Sequence, residues 1–505
     1  MEKIAIIDLG SNTTRLIVMA YERGSCFRLI DEVSEAVRLA EGVGPNRELQ
    51  PEPIRRAVNA LSMFNRFCKS TAVNHVVAVG TSAIREAANQ EEFWRALRAE
   101  TDLDLRIITT QEEGYYGFLG TANALGLRHG VTFDTGGGST QVVAVQDGRP
   151  TESFSVQAGV LRFTERYVNS DPISKRDLRE LRAAAQQAFS GLAWLKADTG
   201  QRLAGMGGTV RTLARIDQKA RNYPLDRVHA YTLTRAAIAA ISEQLIQKNR
   251  REREQIPGLK RDRADVTLAG AVIIEALMDQ GGFSELTVSG QGLREGLFYA
   301  HFLAPNDPPI LEDPRSFSIL NLARLSHFQE AHCHKVAELS LSLFDQLIPL
   351  HGYGAWERDL LAQAAMIHDI GVAVGYYDHH KHGEYLVHNS LLLGFSHRES
   401  IMLSALVRNH RKGFTDATPY AAILKPEDST RIARLSALLR IAEYLERGKS
   451  QVVQAVRVEL GPPIRILVQA TGDAQLEVWD AARRSNLFRK AYNQELEILL
   501  APSPR

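Results

Sequence analysis

Two short polar turns dominate this sequence, Asp8-Leu9-Gly10-Ser11-Asn12-Thr13 and Asp134-Thr135-Gly136-Gly137-Gly138-Ser139-Thr140, and each stands between strand-like apolar runs. IAII leads into the first turn, and RLIVMAY and FRLI follow it. VTFD leads into the second, and QVVAVQ and an extended segment near Phe154 follow. β-branched and aromatic residues at these positions favour strands. In both places strands give way to helical spacing, so the chain carries a disguised internal duplication. Two βββ-then-α units predict an α/β fold with mixed sheets facing one another across a cleft.

The same reading places the remaining elements. Apolar residues three and four apart predict a helix from Ile54 to Phe67, a strand from Val76, a helix near Ser82, a strand over Leu105–Ile108 and a helix from about Thr110 to Leu125. Strands RLAG and LTVS belong to the second unit. The proline-rich stretch Pro305–Pro314 marks a linker. From Ser316 to about Glu446 the pattern is almost wholly helical and holds 11 of the 15 histidines. A tail from Val452 to Leu500 reads as strand-like VRVEL, IRILVQ and LEVW with a helix near Ala482–Tyr492. Four regions are expected: 1–126, 127–305, 306–450 and 451–505.

With 505 residues the chain exceeds a single hydrophobic core. Its 60 Lys plus Arg balance 59 Asp plus Glu, for a formal net charge of +1. That balance gives no global reason to expect nucleic acid or an anionic membrane as partner, so any polyanion site must be local. Cys26, Cys68 and Cys333 have neither the spacing nor the number for a disulfide framework or zinc knuckle, which suits a reducing cytoplasm. The N-terminus has one Lys and then four apolar residues before Asp8, far short of a signal-peptide core, and no later run approaches a membrane span.

Each chemical motif has a plain structural alternative. In the first turn Ser11, Asn12 and Thr13 offer hydroxyl, amide and backbone N–H groups to phosphate oxygens, and Asp8 a metal ligand; Asp, Gly, Ser and Asn are also ordinary turn residues. Three successive glycines, Gly136 to Gly138, cost conformational entropy that a plain hairpin has no need to lose, and a phosphate held by them and Ser139 is the simplest reason. Leu203-Ala204-Gly205-Met206-Gly207-Gly208-Thr209 ends a strand and opens a helix, a place for an anion or simply a tight turn with Thr209 as N-cap. Glu112 and Glu113, at a helix start, suit either a general base or the helix dipole. Arg85 could pair with phosphate or with a neighbouring Glu. Arg15, Arg38, Arg162, Arg211 and Arg294 are further candidates for a phosphate path.

Taken together, IAIIDLGSNTTRLIV, AVGTSAIREAANQ, TTQEEGYYGF, VTFDTGGGSTQVV, AGMGGTVRTLA and SGQGLREGLFY resemble the exopolyphosphatase and guanosine pentaphosphatase family of the actin, hexokinase and Hsp70-like superfamily. The resemblance implies a duplicated actin-like (ribonuclease H-like) core of two domains, an all-α HD-like domain and a small α+β C-terminal cap. It implies water attack on a terminal phosphoryl group of inorganic polyphosphate or guanosine pentaphosphate, with Glu113 as base and Glu112 as its competitor. Asp134, helped by Asp8, would position Mg²⁺ (or Mn²⁺). Ser11, Asn12, Thr13, Arg85 and Gly136 to Ser139 would hold phosphates, and Gly207, Gly208 and Thr209 would line the second-domain side.

The helical region is similar to the HD-type module of longer family members. His332, His368-Asp369 and His410 match the order of HD metal ligands, a competent set for a second divalent metal. The final Asp of that pattern is Glu443 here. The cluster Asp378-His379-His380-Lys381-His382, with His388, offers further ligands or a pH-sensitive surface. In the family this module serves substrate binding or dimerisation, so the resemblance also implies a homodimer; the charge balance and the short apolar runs already argue against nucleic acid and membrane as partners.

Overall fold

The computed structural model describes residues 1–502 except 45, 198, 199, 412 and 414. It comprises two compact units, Met1–Pro314 and Arg315–Arg505.

The first unit holds two sheets built on one plan. β1 (Glu2–Leu9), β2 (Thr14–Glu22) and β3 (Cys26–Glu35) form an antiparallel meander, and β4 (His75–Gly80) and β5 (Leu105–Ile107) add in parallel beyond β1, giving the order β3-β2-β1-β4-β5. β6 (Gly130–Thr135), β7 (Thr140–Gln146) and β8 (Arg149–Val156) repeat the meander. β9 (Arg202–Met206) and, beyond it, β11 (Glu285–Val288) add in parallel, and β10 (Thr232–Thr234) closes the edge. Ile4, Ala5, Ile6 and Ile7 are all fully buried, as expected for a central strand covered on both faces. The two sheets and their helices form the duplicated actin-like core.

Two helices are exchanged between the halves. Thr110–Leu125 ends the first repeat in sequence but packs on β6 to β9, while Leu293–Phe302 ends the second repeat and packs on β1 and β2. The exchanged helices cross at backbone contact: a Cβ at Gly120 would collide with the Gly292 carbonyl, and one at Gly296 with that of Tyr116. The first of these helices starts sharply because Thr109 Oγ1 accepts from the Glu112 N–H (3.1 Å) while Glu112 Oε2 accepts from the Thr109 N–H (2.8 Å). Gly126, in the left-handed conformation at φ +59°, ends it.

In the second unit, helices Pro314–Leu325, Glu330–Gln346, Ala355–Ile367, His379–Asn389, His397–Asn409 and Asp428–Leu445 precede a small sheet. There β12 (Val453–Glu459) pairs antiparallel with β13 (Ile464–Ala470), which pairs in parallel with β14 (Leu496–Leu500). The segment LEVW is helical, within Gln475–Arg483, not a strand: Ala474, Glu477 and Ala481 are buried at helical spacing while Leu476 and Trp479 face solvent. Residues of the helices and of the sheet share one hydrophobic core.

Candidate functional site

The two turns are structural equivalents. Each is a four-residue connection closed by one backbone hydrogen bond, Gly10 N–H to Thr13 O (3.2 Å) and Gly136 N–H to Ser139 O (2.9 Å). They lie at the carboxyl ends of β1 and β6, where parallel strands leave room for a ligand. A cavity of about 370 Å³ opens there, lined by Asp8, Ser11 and Asn12 of the first turn and Asp134, Gly136 and Gly137 of the second. Gly207 and Gly208 line its far side. An adjoining cavity of about 310 Å³ shares Ser11, Ala40, Gly137, Leu161 and Glu165 with the first and continues past Gly138, Ser82 and Arg162.

The glycines of the second turn have a reason in packing. A Cβ on Gly137 would come within 2.9 Å of Leu161 Cδ1, and one on Gly159 would collide with the backbone of Gly137 and Gly138. The N–H groups of Val160 and Leu161 donate to Gly136 O and Gly137 O (2.9 and 3.0 Å), so this helix start is satisfied by the turn itself. In the third glycine element Met206, not Thr209, precedes the helix; Thr209 is buried beside Gly270. Gly207 lies at φ +88°, where a Cβ would collide with Asp134 Oδ1, and a Cβ on Gly208 would collide with the Arg263 guanidinium. Both glycines admit charged side chains to the cleft.

Those side chains fit a metal and an anion. Burial, and the neighbouring charge of Asp134, push the Asp8 carboxyl up to about 6, although Arg294 and Arg15 act against the shift. Burial likewise raises Asp134. Asp8 Oδ1 is buried with no hydrogen-bond partner. Two desolvated carboxylates with an unpaired oxygen suit a hard divalent cation. Arg15, Arg38, Arg211, Arg263 and Arg294 line the same cavity. Arg294 is committed to Glu32 (2.8 Å), but the other four form no ion pair among the described residues. Arg211, pushed down to about 10 by burial and by the charge of Arg15, donates among the described residues only to Gly290 O (3.3 Å). Arg263 Nη1 is buried without a partner. Four guanidiniums without an ion pair, in a cleft that Glu41, Glu165, Asp262, Asp265 and Glu295 also line, offer donors to phosphate oxygens. Arg263 carried no signal in the sequence, because RDRAD has the pattern of a solvated charge run.

The remaining expected residues spread around this centre. Glu113 and Arg85 lie outside the lining of both cavities and pair with each other at 3.1 Å, and Arg85 also donates to Ile108 O (2.8 Å). Burial pushes Glu113 up to about 7; Arg85 opposes this, and the charges of Asp134 and Asp8 add to it. Glu112 faces elsewhere: it serves the helix cap, pairs with Arg106 (2.6 Å) and borders a different hollow with Thr151 and Ser153. Ser139 is buried, its Oγ accepting from Gln141 (2.9 Å), and Thr13 supplies the carbonyl that closes its turn. Arg162 is paired with Glu86 at 3.0 Å. Arg38, at φ +46°, belongs to a segment laced to the first turn through Asn12 O (2.8 Å).

A second cluster lies in the second unit. His332, His368, Asp369 and Glu443 bring one ligand atom each within 4.8 Å of one another, and so do Asp369, His379 and His410. His368 Nε2 is 2.9 Å from Glu443 Oε2 and 3.3 Å from His332 Nε2. Glu443 therefore reaches the position for which the sequence suggested a missing Asp. Burial disfavours charge on His368, but Asp369 and Glu443 raise its pKa well above the usual value, while burial and His368 push His410 down to about 3. Asp369 is buried yet held well below the carboxylate range by His368, His379, His410 and Lys449. No helix among the described residues is long and apolar enough to cross a membrane.

Comparison with known proteins agrees with this architecture. Residues 17–304 match the model of the Ppx/GppA phosphatase family, and residues 315–467 match that of Ppx/GppA phosphatase, domain III. The structure of an Aquifex aeolicus member of the Ppx/GppA family is similar at 29% identity and a TM-score of 0.54, covering 60% of this chain and 99% of that one. An exopolyphosphatase from Cytophaga hutchinsonii is similar at 25% identity and a TM-score of 0.56, over 60% of this chain and 98% of its own. The chain belongs to the Ppx/GppA phosphatase family and is a hydrolase of phosphoanhydride bonds.

Proposed function

We propose that the protein is an exopolyphosphatase, releasing terminal orthophosphate from inorganic polyphosphate in the cleft of the first unit. The observation that carries the choice of substrate is the lining: among the described residues the cleft has five arginines beside seven carboxylates and no aromatic side chain on which a guanine base would stack, and it runs on into the adjoining cavity. A linear polyanion needs such a path, and a nucleotide does not. The 25% identical Cytophaga hutchinsonii exopolyphosphatase supports the same reading.

In this proposal Arg15, Arg38, Arg211 and Arg263 neutralise and orient the terminal phosphates, with Ser11, Asn12 and the turn amides placing the last phosphoryl group. Asp8 and Asp134 would hold Mg²⁺, which would supply charge neutralisation at the phosphoryl oxygens. Glu113 takes a proton as water bonds to the terminal phosphorus; the bridging P–O bond breaks and the shortened chain leaves with the bridging oxygen. Arg85 keeps Glu113 oriented and favours its ionised form against the burial that raises it. The three buried free cysteines accord with a reducing cytoplasm, and dimerisation completes the reading.

The test compares orthophosphate release from long-chain polyphosphate and from guanosine pentaphosphate with Mg²⁺, for wild type, Glu113→Gln and His368→Ala. Polyphosphate turnover lost only in Glu113→Gln is expected. Faster turnover of guanosine pentaphosphate would replace the substrate assignment, and activity lost only in His368→Ala would move the chemistry to the second unit.

A further inference from the structure

The cavity that adjoins the cleft carries charges that the reaction in the cleft does not use. It meets the cleft at Ser11, Gly137 and Glu165, and beyond that junction Arg47, Glu86 and Arg162 line it. Arg162 stands in the first turn of the helix Val160–Tyr167, in the second repeat, and Glu86 ends the short helix Ser82–Arg85, in the first. Their 3.0 Å ion pair therefore ties the two repeats together in the wall of this cavity. The guanidinium also lies against the glycine turn, since a Cβ on Gly138 would come within 3.8 Å of Arg162 Nη2. A phosphate beside that turn meets an arginine already held by a carboxylate.

Arg47 reaches the cavity from a different element. It shares with Arg38 the connection between β3 and the helix Pro51–Ser70, and both have a left-handed backbone, at φ +58° and +46°. Residues with a β-carbon adopt that conformation at a cost, and surrounding bonds must hold them there. The Arg38 N–H donates to Asn12 O (2.8 Å); the Arg47 N–H donates to Gly44 O (2.9 Å), and Arg47 O accepts from the Ala88 N–H (2.8 Å). The connection thus delivers one arginine to each cavity, Arg38 to the cleft and Arg47 to its neighbour. Arg47 forms no ion pair among the described residues.

The charges of the adjoining cavity balance, Arg47 and Arg162 against Glu86 and Glu165, so its field alone does not draw in a free anion. A polymer whose end is already seated in the cleft is in a different position, because its following phosphates arrive at a high effective concentration. The pair they meet is weak, with the Arg162 and Glu86 side chains 41% and 32% exposed. We propose, on the polyphosphate reading of the cleft, that this cavity is the subsite that distinguishes long chains from short ones. Arg47 and Arg162 hold internal phosphates of the polymer, and Glu86 is the carboxylate that the polymer displaces from Arg162. A chain too short to span both cavities leaves the pair closed and gains nothing from Arg47.

The test measures kcat and KM for tripolyphosphate and for long-chain polyphosphate, with Mg²⁺, in wild type and in Arg47→Gln, Arg162→Gln and Glu86→Gln. Each arginine change should raise the long-chain KM about tenfold relative to that for tripolyphosphate, the loss of one charge-assisted contact, with the effect on KM rather than kcat. Glu86→Gln should lower the long-chain KM about threefold, because Arg162 is then free of its competitor. A bridge with a purely structural role would instead lower the melting temperature and bring no such gain. Arg162→Lys keeps the charge and should recover part of the lost affinity. Both substrates are read on one preparation, so a partly unfolded fraction cancels from the KM ratio. An unchanged ratio in Arg162→Gln, or a long-chain KM not lowered in Glu86→Gln, would overturn the subsite while the polyphosphate reading stands. Wild type that hydrolyses guanosine pentaphosphate but neither polyphosphate would remove that reading, and the subsite with it.

Discussion

Gly207 lies so close to Asp134 that a β-carbon there would collide with the carboxylate Oδ1, and its φ of +88° lies in the left-handed region. The turn that opens the helix Gly207–Ala220 thus closes directly over a candidate metal ligand. Gly207→Ala should cost about 1–2 kcal/mol of stability from backbone conformation. Its larger effect is on Asp134: moving a positioned group by about 1 Å lowers turnover roughly 100-fold. Thermal melts beside steady-state orthophosphate release separate the two; wild-type turnover with a lowered melting temperature would detach this contact from catalysis.

Because Glu113 is pushed up to about 7, its ionised fraction rises through neutral pH. Turnover should climb about tenfold per pH unit below that value and level off above it. Arg85 favours the ionised form, so Arg85→Gln should move the midpoint upward, and Glu113→Gln should lower turnover by about 10²–10⁴. The stability sign is opposite. The folded state binds the Glu113 proton more tightly than an unfolded chain with the ordinary value of 4.5, so stability falls as pH rises from about 4.5 to about 7 and is flat above. Chemical denaturation of wild type and Glu113→Gln across that window should show a smaller decline in the variant.

Arg211 and Arg263 are buried cations without carboxylate partners among the described residues, a costly arrangement that an anionic substrate relieves. Arg211→Met should therefore leave the melting temperature unchanged or raised. The same change should raise KM for polyphosphate by roughly 10-fold to 100-fold, the loss of about 1.5–3 kcal/mol per charge-assisted hydrogen bond. A lowered melting temperature with unchanged KM would assign this arginine to the scaffold instead.

Removing divalent metal should abolish orthophosphate release, and restoring Mg²⁺ should raise the melting temperature of the first unit. At a hundredfold excess over Kd the stabilisation is about 2.7 kcal/mol. Asp8→Asn removes one of two buried like charges, so the metal-free protein should melt no lower than wild type while its response to Mg²⁺ disappears. Differential scanning calorimetry with and without Mg²⁺ gives both quantities.

Local signals carried far where they were strong. The helix expected from about Thr110 to Leu125 has those bounds in the structure, where Thr109 and Glu112 form a capping box and Gly126 a left-handed stop. The paired Asp-x-Gly turns likewise revealed the duplicated sheets. Tertiary relations were less visible. LEVW alternates like a strand, yet Ala474, Glu477 and Ala481 bury a helical stripe; β14 became a strand because β13 offers it a parallel edge. Arg263 reaches the cleft only through a turn that Gly208 leaves open. Glu443 reads as a lost Asp, but its longer side chain spans the distance to His368.

The exchanged helices have a consequence for synthesis. Tyr21 and Phe27, on β2 and β3, meet Phe298, Tyr299 and Phe302 of the helix that covers their sheet, with ring centroids 4.9 to 6.4 Å apart. A nascent chain has made the first sheet long before it makes that cover. The aromatic face stays open to water until residue 302 leaves the ribosome, and the first half gains its native lid only when the second half delivers it.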